Sequence, residues 1–250
     1  HCISSAASDV YKRQTFALGA AAGNQPTIVA MAGAASANAV PQTATARLRG
    51  GNADATTRQL SAGKDAFIGK YTSQGGKFSI DVAREGADVL VKVTGASAHG
   101  SRPEEGVNPL PRLALFLKES GLVLPPNGYA QAVRYLTDLY GTDYLGRTMG
   151  LAYSDDFMGP LTMSPNLIRE KDGKVDVLVN VRMPRGNTPE ALAKATTERI
   201  KAWGTQAGVA VEVDHNQGNW MARDPKGAWL ATLLNTCLLY TSPSPRDLST

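Results

Sequence analysis

Phe78-Ser-Ile-Asp-Val-Ala-Arg-Glu-Gly-Ala-Asp-Val-Leu-Val-Lys-Val-Thr94 reads as two strands folded about a turn. Phe78, Ile80 and Val82 alternate with Ser79, Asp81 and Ala83, the period of a half-buried strand. Gly86 marks a turn over Glu85–Asp88, after which Val89, Val91 and Val93 resume the alternation. The stretch predicts an antiparallel hairpin. Before it, Asp54–Thr72 has helical spacing, with Leu60, Phe67 and Tyr71 on one side and Gly75-Gly76 as its stop. Thr27–Ala32 and Thr43–Leu48 are short apolar runs that predict strands. After the hairpin, Asn108 is a candidate N-cap and Pro109 takes the first position of a helix that Gly121 closes.

Pro125-Pro-Asn-Gly128 is a hard break, and a similar order of elements follows it. Tyr129–Tyr140 predicts a helix and Gly141–Pro160 a connecting loop. Leu161–Arg169 and Val175–Val181 predict strands joined by a turn at Lys171-Asp-Gly173. Thr188-Pro-Glu190 opens a helix expected to turn Leu192, Ala195, Ile200 and Trp203 inward. Gly208 ends it, Val209, Val211 and Val213 alternate as a strand, and Asp224-Pro225 starts one more helix. The fold class is therefore α+β. The order of elements suits two ferredoxin-like units of antiparallel sheet plus helices placed in tandem.

The two ends have a different character. Ser4–Gln14 resembles a translated sequencing adapter, since Asp9–Gln14 back-translates to GAT GTG TAT AAG AGA CAG. Cys237–Asp247 resembles the opposite adapter read through. Such scars are set aside before the fold is considered. Residues 15–236 are then expected to be an internal portion of a longer gene product, with Ser4–Gln14 and Ser242–Thr250 exposed and irregular. Cys2 and Cys237 both fall in the excluded ends, so disulfides and thiolate chemistry drop out. Removing Asp9, Lys12, Arg13, Arg246 and Asp247 takes the net charge from +4 to +3. The basic residues are scattered, so nucleic acid is not an expected partner, and no apolar run reaches membrane-spanning length. The compartment, cytoplasmic or periplasmic in a bacterium, stays open because the natural N-terminus is expected upstream.

Only His99 and His215 remain as imidazoles in the retained segment. His99 lies in Gly95-Ala-Ser-Ala-His-Gly-Ser-Arg-Pro-Glu-Glu-Gly-Val-Asn108, between a strand and a helix start. Its small neighbours leave the ring free to reach outward, towards something beyond its own core. His215 follows a strand and fits no motif; a structural or exposed role suits it. Ser97 with His99 lacks the third, orienting group of a nucleophilic triad. Asp155-Asp156 is an adjacent loop pair of the kind that is usually solvated rather than a cation site.

The His99 segment resembles that of metallopeptidases of the aminoacylase, carboxypeptidase-G and carnosinase type, most nearly the Xaa-His dipeptidase branch. Ala37-Asn-Ala-Val-Pro41, Gly159-Pro-Leu-Thr-Met163 and Asn180-Val-Arg-Met-Pro-Arg-Gly186 agree with it in the same order. The resemblance covers roughly residues 27–234. It implies a catalytic domain holding two zinc ions, with a lid or dimerisation domain inserted into it. On this reading residues 15–26 are a catalytic-domain flank or linker, 27–124 the first half of the lid, and 125–160 a connecting segment. Residues 161–216 are its second half, and 217–236 the return to the catalytic domain. The resemblance also implies that His99 is catalytic, donating to the oxyanion of the tetrahedral intermediate. Asn38 and Arg182 would bind substrate, Arg182 through its carboxylate. Glu104-Glu105 imitates the family's catalytic carboxylate pair but lies in the lid loop, so no role is transferred to it. The zinc ligands would lie outside residues 15–236, so this chain is expected to bind no zinc and to be inactive alone. The expected partners are a dipeptide or short peptide and the catalytic domain of the same protein. Two alternatives are an N-acyl-amino-acid deacylase of the same superfamily and an α+β dimerisation or binding module without chemistry.

Overall fold

In a computed structural model, the described residues are 10–18, 24–34, 36–216 and 232. They form a mixed α+β fold with helices packed on antiparallel sheets. In chain order the elements begin with β1 (Val10–Ala17), β2 (Thr27–Ala32), β3 (Ala39–Val40) and β4 (Thr43–Arg49). There follow α1 (Ala53–Thr72), β5 (Ser79–Glu85), β6 (Asp88–Thr94), β7 (Ala98–His99) and a 3-10 turn at Pro103–Glu105. Then come α2 (Pro109–Glu119), α3 (Gly128–Leu139), β8 (Ser154–Asp155) and β9 (Gly159–Pro160). β10 (Thr162–Lys171), β11 (Lys174–Arg182), α4 (Pro189–Ala207) and β12 (Glu212–Asn216) complete the described fold.

The first large sheet has the order β2-β4-β6-β5, and its hairpin is the one read from Phe78–Thr94. Val89, Val91 and Val93 face its core together with Ile80, Leu60 and Phe67. Phe67 stacks at 5.2 Å on Phe116 of α2 and at 6.1 Å on Phe78, so α1 and α2 are fixed to the same side. Helix starts follow the local chemistry. Asn52, Asn108, Asn127 and Thr188 each cap a helix by accepting a backbone N–H with the side chain.

The second large sheet has the order β10-β11-β1-β12. Its plan is that of the first: strand, helix and strand (β11, α4, β12), with another strand inserted between the two. In the first sheet β4, α1 and β5 play these parts, and β6 is inserted. Phe16, Tyr135, Tyr140 and Trp203 form its aromatic core, with Tyr135 within 5.6 Å of each of the others. Helices α2 and α3 pack on one another and β2 lies against β10, so the halves share one apolar core.

Three expectations change. Val10–Gln14, expected outside the fold, form most of β1 and pair with both β11 and β12. Thr15–Ala17, expected in a flank, complete it. Strand pairing is made by backbone N–H and C=O groups, so any extended segment can satisfy the open edges of two strands. Phe16 anchors this one, and the Lys12 amine donates to Thr196 Oγ1 at 2.5 Å and to the Leu192 carbonyl at 3.3 Å. Second, Thr196 rather than Ala195 faces inward from α4, because its hydroxyl meets both Lys12 and the Leu192 carbonyl. Third, the last strand begins at Glu212 rather than Val209, because the Val209 N–H is taken by the Gly204 carbonyl in the helix cap. Ser4–Asp9, Ser242–Thr250 and the helix expected from Asp224-Pro225 lie outside the described residues.

Candidate functional site

The loop between β6 and α2 carries His99. Its neck is closed by a reciprocal pair of backbone bonds between Ala96 and Val107. Within the loop, Ala98 and His99 pair antiparallel with Val40 and Ala39. The Gly100 N–H then donates to the Asn38 carbonyl at 2.5 Å. Asn38 is thus the residue before β3, and His99 the residue before Gly100, on two strands in register. Both side chains are exposed.

The glycines here serve close approach. A Cβ on Gly100 would stand 2.5 Å from the Asn38 carbonyl oxygen and 3.2 Å from Asn180 Cγ. One on Gly106 would stand 2.8 Å from the Ala98 Cβ. The small residues around His99 therefore let three backbone segments touch, and the ring is displayed as a result.

His99 Nδ1 accepts the Ser101 N–H at 3.2 Å and lies 2.7 Å from Ser101 Oγ. An Nδ1 that accepts leaves the proton of a neutral imidazole on Nε2, which makes Nε2 a donor. Ser97 does not serve His99; its hydroxyl donates to the Val40 carbonyl at 3.0 Å.

Arg182 is the last residue of β11 and stands opposite Thr162. It lies two residues beyond Asn180, roughly 7 Å along a strand, and on the same face. Asn180 is fully buried, with Cγ against the Gly100 backbone. The fold thus brings the Asn38 and His99 segments together directly and places Arg182 two residues along β11 from Asn180.

The remaining candidates have other partners. Asp155 is held by the Arg185 guanidinium at 3.1 Å and by the N–H groups of Phe157 and Met158. Partial burial raises its carboxyl, but these donors outweigh that and hold it below its ordinary range. Glu105 pairs with Arg102 at 2.8 Å. His215 is half-buried, with Nε2 2.6 Å from Thr197 Oγ1, and burial followed by the nearby Lys12 charge lowers its pKa. A cleft of about 320 Å³ lies beside Glu104, Glu105, Asn108 and Asp143, but Asn38, His99 and Arg182 do not line it.

Among the described residues, no three His, Cys, Asp or Glu side chains come together as a metal site. A zinc centre needs three or four such ligands, so the described residues do not fit one. Also among the described residues, no helix is long and apolar enough to cross a membrane.

Reading the sequence missed Ser101, Asn166 and Asn180. Ser101 follows His99 by two residues, the reach of a local side-chain bond. Asn166 and Asn180 are polar residues inside apolar strand patterns, where a buried amide needs designated partners.

No family model matches the chain. Two curated dipeptidases resemble it. The beta-Ala-Xaa dipeptidase of Lactobacillus delbrueckii subsp. lactis is 29% identical over 164 residues, which is 65% of this chain and 32% of that protein. YtjP of Bacillus subtilis (strain 168), whose name proposes dipeptidase activity, is 28% identical over 148 residues, 59% of this chain and 29% of that protein. The chain spans about a third of the length of these relatives. Their similarity supports a relationship to dipeptidases.

Proposed function

We propose that this chain is the substrate-covering lid of a di-zinc dipeptidase, built from two ferredoxin-like units. The observation that carries the reading is the pairing of β3 with β7, which sets Asn38 beside the His99 loop and displays an exposed imidazole whose Nδ1 is occupied by Ser101 and whose Nε2 is left as donor. Dipeptidase relatives at 29% and 28% identity favour peptide bonds over other amides.

The two zinc ions would be bound by another part of the whole protein, where they would supply an activated water. His99 Nε2–H donates to the carbonyl oxygen as that oxygen gains charge. A donor aimed at developing charge in a water-poor site contributes about 3 kcal/mol. The Arg182 guanidinium presents a planar fork of donors to the substrate carboxylate, and the Asn38 amide adds a neutral donor beside His99. These residues orient the peptide and hold charge, while the proton transfers belong to the catalytic domain.

In the complete enzyme carrying this sequence, His99→Ala is expected to lower kcat by about 10²–10³. Zinc content, read by metal analysis, should stay unchanged. An unchanged kcat, or loss of zinc, would overturn the lid assignment.

A further inference from the structure

Asn166 lies in β10 where the register with β11 slips between Pro165 and Leu167, and it is fully buried. A bulge re-aims a side chain out of the regular alternation. Here the Asn166 amide points across the boundary between the halves. Its Nδ2 donates to the Ala37 carbonyl at 2.8 Å, and its backbone carbonyl accepts the Ala34 N–H at 2.9 Å. Its Oδ1 accepts from Ser164 Oγ at 2.7 Å and from Asn108 Nδ2 at 3.2 Å.

Two of these partners, Ala37 and Asn108, lead to the two loops of the candidate site. Ala37 precedes Asn38, whose carbonyl holds the Gly100 N–H next to His99. Asn108 follows Val107, which closes the neck of the His99 loop through Ala96. A single buried amide therefore binds the base of the Asn38 loop with one end and the base of the His99 loop with the other.

We propose that Asn166 is a positioning residue that sets the spacing of Asn38 and His99 from the second half of the molecule. This rests on the proposed roles of those two residues. A buried amide whose oxygen and nitrogen are both bonded has few low-energy arrangements, so it favours one relative placement of the two loops. It also makes the site a joint product of both halves, since the first half alone lacks the group that spaces its loops.

Asn166→Asp keeps the volume and the acceptors but removes the donor to the Ala37 carbonyl. Asn166→Ala removes the donor without adding a charge, and covers the case in which the aspartate variant fails to fold. In the 250-residue chain, amide hydrogen exchange at Gly100 should accelerate about tenfold or more in either variant, while exchange at Val177 and Val179 stays as in the parent chain. In the complete enzyme, kcat/KM for a dipeptide should fall by about 10- to 100-fold. The larger part should appear in kcat, because the oxyanion contact strengthens in the transition state.

Unchanged exchange at Gly100 would overturn the proposal. So would equal acceleration at Gly100 and Val177, which would mean general loosening. Faster exchange confined to Gly100 with kcat intact would also overturn it, provided His99→Ala lowers kcat in parallel. If His99→Ala itself left kcat intact, the lid reading would fall, and the spacing role would be decided by the exchange data alone.

Discussion

The two large sheets share a plan and differ at the inserted strand. In the first sheet the insert is β6, joined to β5 by a short turn, and Val89, Val91 and Val93 fill the core. In the second it is β1, drawn from the far end of the chain, and Lys12, Gln14 and Phe16 occupy the equivalent inward positions. Lys12 is 1% exposed and Gln14 is wholly buried. The Lys12 amine has partners, but burial pushes its pKa down to about 7. Neither polar atom of the Gln14 amide has a hydrogen-bond partner among the described residues. Backbone pairing accepts β1 as readily as β6; the side chains do not fit equally.

The comparison can be broken most severely from the side of the first sheet. Val91→Lys would give β6 what β1 already carries, but without a hydroxyl and carbonyl to receive the amine. A buried, unpaired charge should cost about 3–5 kcal/mol, read as a lower urea midpoint. A variant as stable as the parent would show that the first core tolerates an amine as well as the second.

Lys12→Met sharpens the contrast from the other side. With the folded pKa near 7 and the unfolded value near 10.5, the unfolded chain binds more protons throughout that interval. Stability attributable to Lys12 therefore rises as pH climbs from 7 to 10.5 and is lowest below pH 7, where both states are charged. Lys12→Met should stabilise the chain by about 3 kcal/mol at neutral pH and flatten that rise. Denaturation at pH 7 and pH 9.5 measures both effects, and an unaltered pH slope would contradict the buried-amine account.

Gln14→Leu carries the smallest expected effect. It removes an amide without partners and adds apolar contact beside Phe16, for a gain of about 1–3 kcal/mol. A loss of stability on thermal melting would mean that the amide has a partner after all.

Much of the first sheet was legible from local pattern: β2 has the limits of the apolar run Thr27–Ala32, and β5 and β6 follow the alternation of Phe78–Thr94, because a hairpin is local. The helix caps were legible for the same reason, since Asn108 and Thr188 act on residues two or three positions away. The placement of β1 was not. Its pairing with β11 and β12 is made by backbone groups across most of the chain and leaves no periodic mark on Val10–Gln14. At the candidate site, His99 stood out by its small neighbours, whereas its role, and Asn38 and Arg182 altogether, came by family resemblance. The pairing of β3 with β7 is too short to show an alternation, and Asn166 owes its direction to a bulge that residue spacing does not encode.

The position of β1 also sets an order of events. β6 meets β5 as soon as the hairpin emerges, but Val10 waits for Val181, and Tyr11 for Asn216. Contacts so distant along the chain close slowly, because a long loop must be ordered before any bond rewards it. During synthesis the first sheet can form while β1 is still without neighbours. The second cannot close until β12 has left the ribosome, so β1, which precedes every other described strand, is among the last to find its neighbours.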